Sequence, residues 1–284
     1  MPSIPEHLLI IDPQNDFCDL PPDWHGHDPV SGARVTPALP VAGAHADMLR
    51  LADYIDRYGD DIDAITVTLD SHHRIDVAHP PFWRGADGSE VTPFTAISAQ
   101  QVRDGVFVPR DAQVLPRVLA YLDALDSRGR YALMVWPEHC RIGNWGHLVH
   151  AAVQAACDRW EARRLRPVRH VFKGDNPWTE HYSAFEAEVP DPDDAGTRMN
   201  TALLARLGEA KALVVAGEAG SHCVRASVED LLAHLPGARA ERIVLLTDCM
   251  SPVAGFEAQQ ADFLQRMAAR GVALQTSTQR RGPT

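Results

Sequence analysis

KALVVAGEAGSHCVRASVEDLLAHL, residues 211–235, holds three patterns in one stretch. Residues 212–216 are a short apolar run without proline, as expected of a strand buried on both faces. A glycine-containing loop follows, and residues 222–234 then read as a helix. Cys223 stands where loop becomes helix. Working outward, the same alternation recurs. Runs rich in Val, Ile and Leu lie at 8–11, 64–69, 131–135, 168–172, 243–246 and 272–274. Helix-like stretches span 43–58, 113–127, 146–163, 199–207 and 257–270, several closed by stop signals at Gly59, Gly129 and Gly271. This spacing predicts an α/β fold over residues 1–284: a single domain with a mostly parallel sheet of about six strands and helices on both faces.

Composition agrees with a globular chain. Of 284 residues, 45% are apolar and 23% charged. The net charge of −11 argues against nucleic acid as a partner, because phosphate binding needs clustered Lys and Arg. No apolar run approaches the roughly 20 residues that span a bilayer, so no membrane partner is expected. Five cysteines, scattered and odd in number, suit a reducing compartment rather than a disulfide framework. With no leader read in the first residues, the expected location is cytoplasmic. Two stretches are irregular, 21–40 and 71–110, and irregular segments of that length are either disordered or functional.

In open parallel sheets, ligands bind beyond the carboxyl ends of the strands. Following each expected strand come Asp12 in IIDPQNDF, Asp70 in TLDSHH, Trp136, His139 and Cys140 in WPEHC, Lys173 in VFKGDN, Cys223 in GEAGSHC, and Asp248. Singly these are unremarkable, since an Asp often caps a turn and a lone Cys is usually a small hydrophobe. Together on one edge they describe a chemistry. A helix N-terminus favours a thiolate at Cys223. A carboxylate takes the thiol proton and returns it to a leaving amine, a lysine steadies both anions, and backbone N–H groups hold an oxyanion. That is acyl transfer through a thioester. Asp70, His72, His79 and His139 supply nitrogen and oxygen donors suited to Zn, Mn or Fe. The chain has 14 histidines, so spacing alone leaves the metal open.

At these residues the chain resembles the nicotinamidase branch of the isochorismatase-like cysteine hydrolases. IIDPQNDFC, TLDSHH, WPEHC, KGDNPWTEHYSAF and GEAGSHCVRASVEDL stand in the family's order across residues 8–253. The resemblance implies Asp12, Lys173 and Cys223 as the catalytic set, and Asp70, His72 and His139 as ligands of one divalent ion, Zn before Mn or Fe, with His79 as an occasional fourth. It implies a cis peptide at Glu218–Ala219, oxyanion donors at the N–H groups of Ala219 and Cys223, and a ring held between Phe17 and Trp136. The reaction it implies is hydrolysis of a small-molecule amide, nicotinamide first, to an acid and ammonia. Family members often oligomerise, which sets the expectation of a homo-oligomer.

The chain departs from the family where Glu218 replaces a small apolar residue, where Gly220 and Ser221 replace a Thr-Asp or similar pair, and in long segments at 71–110 and 145–169. Glu218 is expected to be salt-bridged, to face solvent, or to recognise an amine on the substrate. Trp83 is expected to reach the site, while Cys18, Cys140 and Cys157 read as packing residues. The rival readings are a cysteine hydrolase of another small amide or carbamoyl compound, a catalytically silent binding protein on the same fold, and a metal-hydroxide hydrolase in which Cys223 is structural.

Overall fold

The computed structural model describes residues 6–235 and 240–279. The first five residues, on which the leader reading partly rests, lie outside this range. Six strands form one parallel sheet: β1 (Glu6–Ile11), β2 (Ile62–Asp70), β3 (Arg169–Lys173), β4 (Ala212–Gly217), β5 (Ile243–Leu246) and β6 (Ala273–Gln275). Their spatial order is β6-β5-β4-β1-β2-β3. Every pairing is parallel, in registers such as Leu9↔Val215 and Leu9↔Thr66. Every residue of β1 is buried, as expected of a central strand covered on both faces.

Among the described residues seven helices accompany the sheet: α1 (Ala44–Tyr58), α2 (Ala99–Arg103), α3 (Leu115–Arg128), α4 (Ala151–Arg164), α5 (Thr201–Gly208), α6 (Cys223–His234) and α7 (Glu257–Ala269). The chain builds outward from β1 to β3, then returns to place β4 beside β1 and builds the other way. Right-handed crossovers therefore put α6 and α7 on the face opposite α1. Helices α1 and α4 pack together, with Met48, Leu51, Ile55, Val153 and Trp160 buried among them. No helix among the described residues is long and apolar enough to cross a membrane.

One expected strand is not in the sheet. Residues Leu133–Val135 pair antiparallel with Thr95–Ile97 in a separate two-stranded ribbon. A second ribbon joins Trp83–Gly85 to Phe107–Pro109. With α2 and α3 these ribbons enclose their own apolar cluster of Val77, Phe82, Trp83, Ile97, Leu122 and Leu133. Segment 71–110 is thus ordered by a small satellite core. Trp83, expected near the site, is buried in that core and donates through Nε1 to the Val77 carbonyl at 2.7 Å. An apolar run of five residues cannot report which sheet it joins.

Candidate active site

The strand order reverses between β1 and β4, and open α/β sheets bind ligands at that crevice. Asp12 follows β1 there, with its backbone at φ 42. Cys223 begins α6 after the loop that leaves β4. Lys173 ends β3 and Asp70 ends β2, in register with each other. The three residues of the expected catalytic set meet in the interior: Lys173 Nζ lies 2.9 Å from Asp12 Oδ2 and 3.7 Å from Cys223 Sγ. All three are buried.

Hydrogen bonds assign the roles these groups can take. An ammonium has three N–H donors. Those of Lys173 go to Asp70 Oδ1 at 3.0 Å, the His181 carbonyl at 2.9 Å and Cys223 Sγ. Asp12 Oδ1 accepts from Thr68 Oγ1 at 2.6 Å, and the same hydroxyl accepts from the Asp12 N–H. Asp12 Oδ2 lies against the ammonium, on the side from which it can accept the thiol proton. Cys223 and Asp12 are within hydrogen-bond reach of each other.

Burial sets the resting protonation. It pushes the Cys223 thiol well above its ordinary range, against the pull of Lys173, and it raises Asp12 for the same reason. Burial and the helix N-terminus thus act on the thiol in opposite directions. Burial alone would lower Lys173, but Asp12 and Asp70 hold its ammonium well above the usual range.

Beside this set, the second cluster also assembles. Asp70 Oδ2 lies 3.1 Å from His72 Nε2 and 3.4 Å from His139 Nε2. His79 Nε2 lies 3.3 Å from His139 Nδ1. His72, His79 and His139 can each offer a nitrogen within 4.8 Å of the others, and His72, Asp76 and Glu180 form a second such group. The site demands positive charge. Burial opposes a proton on His72, yet Asp70 and Asp76 draw one onto it. A buried set of imidazoles and carboxylates with that demand fits a borderline divalent ion. His139 reaches it although its strand lies outside the main sheet, because His72 N–H donates to the Cys140 carbonyl and Ile142 N–H to the His72 carbonyl.

The loop carrying Cys223 is stitched to its neighbours. Glu218–Ala219 is a cis peptide, as the resemblance implied. Glu218 N–H donates to the Ile11 carbonyl and Gly220 N–H to that of Ser251. Among the described residues no backbone carbonyl takes the N–H of Ala219 or of Cys223. Glu218 points away from the cavity. It is fully buried and forms no ion pair among the described residues, so the three roles expected for it are corrected.

Phe17 and Trp136 both line the cavity that ends on Cys223. Trp136 Nε1 donates to Glu180 Oε2 and to the Tyr182 hydroxyl, each at 3.1 Å. The cavity holds about 30 Å³, room for a water or two, so a substrate must part these walls. A larger groove of about 760 Å³ opens at the opposite ends of the strands, around His7, Arg169 and Arg206. No thiol lines it, and its size does not outweigh the chemistry at the smaller one.

Sequence reasoning missed several residues that touch the catalytic set or line the cavity. Thr68 was hidden as one more β-branched strand residue. Glu180 and His181 sit in a loop whose charges gave no spacing signal, yet His181 Nε2 is buried without a partner among the described residues and lines the cavity. His222 is ringed by Tyr131, Trp136, Tyr182 and Phe256, and burial lowers its pKa to about 4.

No family model and no curated protein matches the sequence. Solved structures do. The yeast nicotinamidase bound to the inhibitor nicotinaldehyde aligns over 95% of this chain and 99% of its own, at 16% identity and a TM-score of 0.62. A nicotinamidase/pyrazinamidase from Acinetobacter baumanii covers 98% and 99% at 18% identity and a TM-score of 0.61. The pyrazinamidase of Pyrococcus horikoshii in complex with zinc covers 95% and 98% at 19% identity and a TM-score of 0.54. The chain shares its α/β fold with nicotinamidases and with an isochorismatase-like hydrolase, over nearly its whole length.

Proposed function

We propose that the chain is a cysteine amidohydrolase of nicotinamidase type, converting nicotinamide or a close aromatic amide to the acid and ammonia. The observation that carries this reading is the buried contact of Asp12, Lys173 and Cys223 at the switch point of the sheet. Asp12 takes the Cys223 proton as sulfur attacks the amide carbon. The carbonyl oxygen, now anionic, accepts from the Ala219 and Cys223 N–H groups. Asp12 then protonates the leaving nitrogen, ammonia departs, and a thioester remains. Asp12 next takes a proton from water, the hydroxide attacks the thioester, and the acid leaves as Cys223 regains its proton. Lys173 stays cationic throughout and offsets the charge that passes between carboxylate and thiol.

Phe17 and Trp136, which line the cavity, would hold a flat ring between them. Asp70, His72 and His139, with His79 close by, would hold the divalent ion, and zinc suits the donors best. When bound, that ion would offer a Lewis-acidic contact to a ring lone pair. The nicotinaldehyde and zinc complexes of the structural neighbours support both assignments.

The test is ammonia release from nicotinamide by the wild type, by Cys223→Ala and by chelator-treated protein. Release in the first alone supports the reading. No release from nicotinamide, with Cys223 still alkylated by a small electrophile, removes nicotinamide and leaves a cysteine hydrolase of another amide. Full activity in Cys223→Ala sinks the mechanism.

A further inference from the structure

Behind the loop that carries Ala219 and Cys223 lie two buried carboxyl groups, Glu218 and Asp47. They are within hydrogen-bond reach of each other. Ser251 grips both: its N–H donates to Glu218 Oε2 at 3.1 Å and its hydroxyl to Asp47 Oδ2 at 2.6 Å. The Ser251 carbonyl in turn accepts the Gly220 N–H at 2.9 Å. Asp47 also holds the Arg50 guanidinium, whose Nε donates to the Asp248 carbonyl. Glu218 has no cation of its own, and its Oε1 has no donor among the described residues. Two buried carboxylates within reach of each other, with one guanidinium held by Asp47, would repel; a proton on Glu218 removes the repulsion.

We infer that Glu218 is a positioning residue: as a neutral acid bonded to Asp47 it holds the Glu218–Ala219–Gly220 turn through Ser251, and its ionisation loosens that turn. The consequence for turnover rests on the proposed amidase reading; the proton-sharing pair itself does not. The groups facing Glu218 agree in sign. From α1 comes Asp47, with Arg50 beyond it; from the loop after β1 come Asp19 and the neutral Cys18 thiol; from the segment after β5 comes Ser251. Burial first, then Asp47, raise the Glu218 carboxyl well above its usual value, while the Ser251 N–H pulls the other way.

The sign of the effect follows from linkage. Between the ordinary Glu value of 4.5 and its raised folded value, the native state binds more protons than the unfolded state. Stability is full below this window and is lost as pH rises through it. Glu218→Gln keeps an acceptor for Ser251 and a donor for Asp47 but cannot ionise. The experiment is thermal unfolding of wild type and Glu218→Gln from about pH 5 to about pH 9, with amide exchange of residues 217–224 at the same pH values. The expected result is a Tm difference that moves in favour of Glu218→Gln by about 3 °C or more as pH rises, with exchange protection of the turn falling only in the wild type. Parallel curves overturn the inference. Should Glu218→Gln fail to fold, Asp47→Asn decides: the alkaline decline is smaller than in the wild type if the inference holds, because Asp47 no longer adds to burial in raising Glu218, and is unchanged if it does not. These readouts need no substrate, so an error about nicotinamide leaves them intact. Turnover adds a separate arm on whatever amide is cleaved: Glu218→Ala lowers it about tenfold, and Glu218→Gln recovers most of that loss.

Discussion

Lys173 is the residue on which the site's electrostatics turn. Its ammonium faces Asp12, Asp70, a carbonyl and a thiol from a fully buried position. Lys173→Met leaves two carboxylates facing each other without a cation, and breaking such a buried pair costs about 3–5 kcal/mol. Urea denaturation should show that loss, and the double variant Lys173→Met/Asp12→Asn should recover part of it. A loss under about 1 kcal/mol would mean that the carboxylates are not charged in the native state. The raised Cys223 thiol makes a second statement. Thiolate absorbance, taken as wild type minus Cys223→Ala, should be absent near neutral pH and grow only above the ordinary thiol value of 9.0. A plateau at neutral pH would point to a resting ion pair instead.

At the level of elements, the junction of β1 and β4 tolerates least. Gly217 ends β4 at φ +118, and a Cβ there would meet the Ile11 carbonyl oxygen at 2.0 Å and its nitrogen at 2.6 Å. Both are backbone atoms of the central strand, so neither side can give way. Gly217→Ala should cost at least about 4 kcal/mol or prevent folding. Gly129 ends α3 at φ +61 with open space around it, so Gly129→Ala should cost only about 1 kcal/mol of left-handed backbone strain. Comparable denaturation midpoints for the two variants would refute this reading of the junction. All six sheet strands and every helix except the short α2 (Ala99–Arg103) were legible within a few residues, because their periodicity and stop signals are local. The strand at 131–135 was assigned to the wrong sheet. What decides its partner is Thr95–Ile97, a three-residue piece too short to leave a pattern.

Across the whole molecule, opposing titrations set the pH of greatest stability. Burial lowers His7, His150 and His222 to about 4 and His181 to about 3. Such groups contribute stability that is present above 6.5 and lost as pH falls. Burial raises Glu188 to about 8 from 4.5, and its contribution is lost as pH rises. The stability curve should therefore peak near 6.5 and fall on both sides, which thermal unfolding in matched buffers would test. Zinc at a hundredfold excess over its Kd should add about 2.7 kcal/mol, seen as a higher Tm that His72→Ala abolishes. An unchanged Tm with zinc would count against a metal at this cluster.

The sequence by itself determined the alternation of strands and helices, the end of the sheet on which chemistry falls, and the identity of Asp12, Lys173, Cys223, Asp70, His72 and His139 as the groups brought there. The alternation and the places of Asp12, Asp70, Lys173 and Cys223 follow from local periodicity and from the geometry of parallel strands, which sends every strand's last residues to one edge; His72 and His139 were legible through the motif resemblance, since the strand before His139 lies outside the sheet. Only the tertiary structure decided the rest. It put Trp83 in a satellite core rather than the site, and Glu218 against Asp47 rather than in the cavity. Each of these outcomes depends on burial, and burial depends on which distant segments pack together, a quantity that no single stretch of chain carries.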